Sequence, residues 1–158
     1  MRLFTLDGST PRSLAKRARR SGLIWFAPIL PFTNAHVWPF LAACKKRFAA
    51  YGFDFYVANL LMNPRSMVCL LAIIYDKEDA EETARSEQLY KELLAHMRQC
   101  QYQQYRAGLQ SWETLYADAP ELKRLNDRIK AAVDPANILS PGHYGIGWPD
   151  RAAPLDPR

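Results

Sequence analysis

Apolar positions recur along this chain in two rhythms, the alternation of strands and the three-and-four spacing of helices. Leu23–Leu30 is a nearly continuous apolar run containing Trp25 and Phe26 and closed by Pro31, which predicts a buried strand. Val37, Phe40, Leu41, Cys44 and Phe48 then keep the spacing of one helix face, with Lys45, Lys46 and Arg47 on the wet side. That helix should run from a cap at Thr33 or Asn34 to about Tyr51 and stop at Gly52. Pro39 suits it only near the first turn. Phe53–Met62 and Met67–Tyr75 read as strands, and the short polar link Asn63-Pro64-Arg65-Ser66 makes them an antiparallel pair. Val68–Ile74 is uniformly apolar, which predicts a central strand covered on both faces.

Asp76–Gln99 is the clearest helix. Glu78, Asp79, Glu81 and Glu82 crowd its start and His96 and Arg98 its end, matching the helix dipole, while Leu89, Leu93 and Met97 form its apolar stripe. A short helix is expected over Gln110–Tyr116. The last helix begins with Asp118 as cap, Pro120 in the first turn and Glu121 reaching back. Leu122, Leu125, Ile129 and Val133 should be its inner face, and Asp134-Pro135 its end. The element order predicts an α+β fold, a small antiparallel sheet with helices packed on one face. Topology of that kind implies no chemistry by itself.

Charge changes the picture less than its total suggests. Of the formal net charge of +5, all arises in residues 1–21, where Arg2, Arg12, Lys16, Arg17, Arg19 and Arg20 face one acid, Asp7 (6 − 1 = +5). A basic tail of this kind reads as a poorly ordered, solvated arm rather than as the basic face of a nucleic-acid-binding fold, so no nucleic-acid partner is expected. Residues 149–158 read as a tail. Ser21–Cys44 carries no charge, but Pro28, Pro31 and Pro39 interrupt it and Thr33, Asn34 and His36 lie at its centre, so no membrane span is expected. Cys44, Cys69 and Cys100 form no Cys-x-x-Cys pair, which predicts neither a disulfide framework nor a zinc site and suits a reducing, cytoplasmic setting. His36 and His96 lack metal partners and are expected at the surface or a helix end. Glu81 and Glu82 are expected to serve the helix dipole.

Four stretches carry a resemblance: Leu23-Ile24-Trp25-Phe26-Ala27-Pro28, Tyr51-Gly52-Phe53-Asp54-Phe55-Tyr56, Tyr105-Arg106, and Val133-Asp134-Pro135-Ala136-Asn137-Ile138-Leu139-Ser140-Pro141-Gly142-His143-Tyr144-Gly145-Ile146. In this order and spacing they resemble the C-terminal, substrate-capping portion of the vanillyl-alcohol oxidase and para-cresol methylhydroxylase family of FAD-linked oxidases. The resemblance covers roughly 22–148 and implies a truncated cap domain there. It also implies FAD as cofactor, held mostly by a flavin-binding domain or subunit outside this chain. No glycine-rich phosphate loop occurs among its 7 glycines, so FAD is not expected to bind to the chain alone.

By resemblance, Tyr105 and Arg106 would hold the oxygen of a phenol as phenolate. An anionic ring oxygen eases hydride departure from the para carbon, and a hydroxyl with a guanidinium stabilises that anion. Read without the resemblance, they are a packed tyrosine and a surface arginine. His143 stands where relatives carry Arg or Lys beside the flavin, with Gly142 and Tyr144 as further contacts; the plain alternative is a loop histidine in a Gly-Pro turn. A histidine supplies positive charge only when protonated, and its unperturbed pKa is about 6.5. Other positions depart from the family. Met67-Val68-Cys69 replaces Met-His-His, Asn59 replaces an acid able to act as base, and Leu23 stands where one branch attaches flavin through histidine.

The resemblance therefore implies the substrate-binding part of an FAD-dependent oxidoreductase acting on para-substituted phenols or aromatic alcohols. The alternatives are a non-catalytic α+β module binding a small aromatic molecule or a protein, and an inactive remnant. Without its flavin-binding portion the chain should expose apolar surface along Ile138–Trp148 and form homo-oligomers or aggregate.

Overall fold

The computed structural model describes residues 20–108, 111–117 and 119–147. The expected arm and tail, apart from Arg20 and Ser21, and the cap at Asp118 lie outside the described residues. The chain forms two compact units, one ending at Tyr105 and the other beginning at Arg106.

The first unit is the expected antiparallel sheet with helices on one face. Its strands are β1 (Ser21–Phe26), β2 (Pro28–Pro31), β3 (Tyr56–Asn63), β4 (Ser66–Asp76) and β5 (Gln103–Gln104), and its helices are α1 (Asn34–Ala50) and α2 (Ala80–Gln99). β4 is central. β3 pairs along one edge, and β1 and β2 share the other, with β5 added outside β2. The expected strand Leu23–Leu30 is thus two short strands broken at Ala27. Ile24, Phe26 and Leu30 join Met67, Cys69, Leu71 and Ile73 of β4 in a core closed by α1 and α2, where Phe26 meets the Tyr90 ring edge-on at 6.1 Å. β4 is covered by helices on one face only. On its other face Val68 and Ala72 are still buried, flanked by neighbouring strands, while Ile74 is 47% exposed.

Helix ends explain how the chain is steered. α1 closes as expected at Gly52, whose φ of +74° suits glycine; Phe53 N–H reaches Phe48 C=O at 2.9 Å and Gly52 N–H reaches Ala49 C=O at 3.1 Å. Pro39 lies in the second turn, beyond the residues whose N–H groups lack helical partners, and the helix continues through it. α2 begins later than expected. Asp79 is its cap, accepting from the amides of Glu81 and Glu82 at 2.9 and 3.0 Å. Asp76 instead ends β4, where Arg20 pairs with it at 2.5 Å and holds its carboxyl below the usual range. The end of α2 repeats the motif of α1 without glycine. Gln101 takes a φ of +59° and Tyr102 N–H bonds Met97 C=O at 3.0 Å, turning the chain directly into β5. A non-glycine residue there costs about 1 kcal/mol, offset by the packing of Tyr102 on the core.

The second unit holds the short helix α3 (Trp112–Leu115), α4 (Pro120–Val133) and a 3-10 turn, His143–Gly145. Here the sequence expectation fails. Leu122, Leu125, Ile129 and Val133 are not an inner face but 50–70% exposed, and α4 buries no residue. Periodicity identifies an apolar stripe, yet the described residues of this unit include no layer to cover it. Glu121 pairs with Arg124, and its expected reach back to the cap at Asp118 lies outside the described residues. Among the described residues no helix is long and apolar enough to cross a membrane.

Candidate functional site

The candidate residues fall in two places, the first at the margin of the helix-free face of the sheet. Alternation sends Ile24 and Phe26 into the core, so Leu23, Trp25, Ala27 and Ile29 take the opposite side. Across the ladder Trp25 and Tyr56 both pair with Ala72, and Ile29 and Leu60 both pair with Val68. The small Ala72 therefore lies between two aromatic side chains that are 55% and 52% exposed, a row whose centre is low and whose flanks are high. Apart from its strand ends this face is apolar from β3 to β2.

Tyr105 stands at the margin of that face. β5 sets Gln104 opposite Pro28, and the Gln104 amide donates to the Tyr90 hydroxyl on the helix side at 3.0 Å. Continued by one residue, the register sets Tyr105 opposite Ala27, whose carbonyl accepts the Tyr105 N–H at 2.8 Å. The Tyr105 side chain is 42% exposed. Of the residues at which the sequence departs from its relatives, Val68 lies buried on the helix-free face, Cys69 points into the core and Asn59 is exposed on the edge strand β3. Burial pushes the Cys69 thiol up to about 11 and the Cys44 thiol up to about 12, so both stay protonated and unreactive.

Arg106, next in the chain, opens the second unit and is exposed. In that unit the closing motif is a polar knot. The Asp134 carboxylate accepts from the amides of Ile138 and Leu139 at 3.0 and 2.9 Å and pairs with Lys130, which also donates to the Leu139 carbonyl. Lys130 holds the Asp134 carboxyl below its usual range. This explains the Asp-Pro-x-x-Ile-Leu spacing: the aspartate caps the two amides that the chain presents after the proline ends α4. Asp127 extends the knot by accepting from Gly147 N–H at 3.1 Å.

The knot delivers Gly142, His143 and Tyr144 together. Gly142 adopts a φ of +74° and is buried, and His143 follows it, exposed. The His143 ring meets Tyr144 at 4.5 Å and Trp112 at 5.1 Å, both edge-on. Trp112 had no role in the sequence reading, since one tryptophan in a short helix carries no spacing signal. The backbone donors of the turn are used internally: Gly142 N–H bonds Ile146 C=O, His143 N–H bonds Ser140 C=O, and Gly145 N–H bonds Gly142 C=O. The turn thus presents an exposed imidazole, while these three amides are not free to cradle a phosphate.

Of the other histidines, exposed His36 bonds the Tyr102 hydroxyl at 2.7 Å, and His96, half-buried in the last turn of α2, stacks on Phe40 at 5.2 Å. Among the described residues no group of three or more His, Cys, Asp or Glu could hold a metal ion.

Fold and closing motif together define a substrate-cap type of α+β domain, and the chain belongs to the FAD linked oxidases, C-terminal domain family, which it matches over residues 10–144. It is similar to the 4-cresol dehydrogenase [hydroxylating] flavoprotein subunit of Pseudomonas putida, 34% identical over 79% of this chain and 24% of that protein. It is also similar to 1'-carboxy-chondrochloren decarboxylase of Chondromyces crocatus, 31% identical over 82% of this chain and 24% of that protein. The fold matches p-cresol methylhydroxylase with substrate bound at a TM-score of 0.74 and 32% identity, covering 79% of this chain and 24% of that one. It matches 4-ethylphenol oxidase from Gulosibacter chungangensis in its isoeugenol complex at 0.75 and 25% identity, covering 85% and 26%. The chain thus spans about a quarter of the length of the curated relatives it matches.

Proposed function

We propose that this domain is the substrate-binding part of an FAD-dependent oxidoreductase that oxidises para-substituted phenols or aromatic alcohols. The observation that carries the reading is the helix-free sheet face, where Ala72 lies between Trp25 and Tyr56 and Tyr105 stands at the margin. A flat aromatic ring suits such a floor, since aromatic pairs gain about 0.5–1.5 kcal/mol beyond area burial. The Tyr105 hydroxyl donates a hydrogen bond to the substrate oxygen while keeping its proton, and Arg106 supplies the opposite charge, so the phenolate is stabilised relative to the phenol. Bound FAD would supply the hydride acceptor. Gly142, His143 and Tyr144 would border its ring, and a flavin-binding domain or subunit would hold the rest. The same reading implies self-association through exposed Ile138 and Leu139 when that portion is missing, and a cytoplasmic location suited to free cysteines.

Co-expression with a flavin-bearing portion of a relative tests this directly. The chain alone should be colourless, and the complemented protein yellow. Tyr105→Phe and Arg106→Ala should each lower kcat/KM for a 4-alkylphenol by about 10²-fold or more. Full activity in both variants would remove the anion clamp. A second reading, a non-catalytic module binding an aromatic molecule, is favoured by Val68, Cys69 and Asn59 standing where relatives carry histidines and an acid; saturable phenol binding with no flavin uptake would select it.

A further inference from the structure

The second unit contains an aromatic contact that the proposed roles leave unused. Trp112, on α3, is partly buried and touches both rings of the closing turn, meeting His143 at 5.1 Å with the planes at 74° and Tyr144 at 6.0 Å. Its indole N–H also reaches the Ala107 carbonyl, at 3.4 Å, immediately after Arg106. One side chain therefore contacts both ends of the unit's functional inventory: the backbone that follows the arginine, and the imidazole of the closing turn. Its own carbonyl lies 3.6 Å from where a Cβ on Gly145 would stand, so α3 also fits closely against the turn.

We infer that Trp112 is a positioning residue: it fixes the plane of the His143 imidazole and the spacing between that ring and the Arg106 backbone. This rests on the reading of His143 as the flavin-facing group. The physical case is one of entropy. An exposed histidine on a turn samples several rotamers, and edge-on contacts with two rings restrict it. The hydrogen bond to Ala107 adds direction rather than strength, being long. Tyr144, the adjacent residue, shares this restraint at 4.5 Å, while the polar knot of Lys130 and Asp134 holds the backbone before the turn.

Proton NMR on the whole chain, with its three histidines distinguished by His143→Gln, reads this without flavin. A through-space contact between the Trp112 indole and the His143 ring protons is expected in the unchanged protein, and its absence would overturn the inference. Trp112→Leu should remove the ring-current displacement of the His143 resonances. Trp112→Phe should keep most of it while shifting the Ala107 and Gly108 amides, because phenylalanine keeps a ring but loses the donor. If the leucine variant fails to fold, the phenylalanine variant and the through-space contact still decide. Unchanged His143 resonances in a folded leucine variant would also overturn it. The flavin reading fails separately: there His143→Gln would leave flavin affinity and potential of the complemented protein unaltered while the ring contact persists.

Discussion

Among the described residues, the buried side chains of the first unit are almost all apolar, running from Ile24 to Met97, whereas those of the second are Ser111 and Asp134. The first is a sheet and two helices closed on a shared core. The second is a helix stapled to a turn by Lys130, Asp134 and Asp127, with Leu122, Leu125, Ile129 and Val133 left in water. Apolar burial scales with area and is cooperative, while individual hydrogen bonds add little net free energy each. The difference teaches that only the first unit carries its own hydrophobic stabilisation. The second depends on polar geometry, and it opens at lower free energy.

The most direct attempt to break this contrast is Phe26→Ala. Phe26 is fully buried against Tyr90, so the substitution should cost about 3–5 kcal/mol in urea unfolding. A loss below ~1 kcal/mol would mean the core is not what holds the first unit. Asp134→Ala should act locally instead. Amide exchange at Ile138 and Leu139 should rise about tenfold or more as their acceptor disappears, with the main unfolding midpoint little changed. Loss of the whole fold would show that the knot supports more than its own unit.

A pH titration sharpens the contrast from the other side. Burial, then the charge of Arg47, lowers the His96 pKa from its ordinary 6.5. The folded first unit therefore binds the proton less readily than the unfolded chain. Its stability contribution is complete above about 6.5 and is lost as pH falls from there through the lowered folded value. His96→Gln should flatten stability over that window, measured by thermal melts at successive pH values; a slope equal to that of the unchanged protein would refute the assignment. The smallest effect is expected for Leu125→Lys. An exposed side chain on α4 changes stability by no more than about 0.5 kcal/mol, so urea unfolding of this variant should be nearly that of the unchanged protein.

Much of this was legible beforehand, and the failures have a common cause. The stripes of α1 and α2 were read correctly because Val37, Phe40, Leu41, Cys44 and Phe48, and Leu89, Leu93 and Met97, do face a core. The stripe of α4 has the same signature and no cover. Asp76 and Asp79 are equally plausible caps by type, but only one lies where α2 begins, and Arg20, fifty-six residues earlier, claims the other. For the site, residues 142–144 fall together because they are consecutive. Trp112 could not be anticipated, since its partnership with His143 spans a loop whose path no local preference records.

By itself the sequence determined most of the element order, the antiparallel sheet and the Asp-Pro to Pro-Gly framework of the closing turn, and its resemblance to known proteins pointed to the family. The elements and the turn follow from local chemistry: side-chain periodicity, φ limits at proline and glycine, and capping donors within a few residues. Only the tertiary structure decided which apolar faces are buried, that Ala72 lies between Trp25 and Tyr56, and that Trp112 meets His143. Those depend on contacts between residues far apart in the chain, whose free energy exists only once the strands and helices have met.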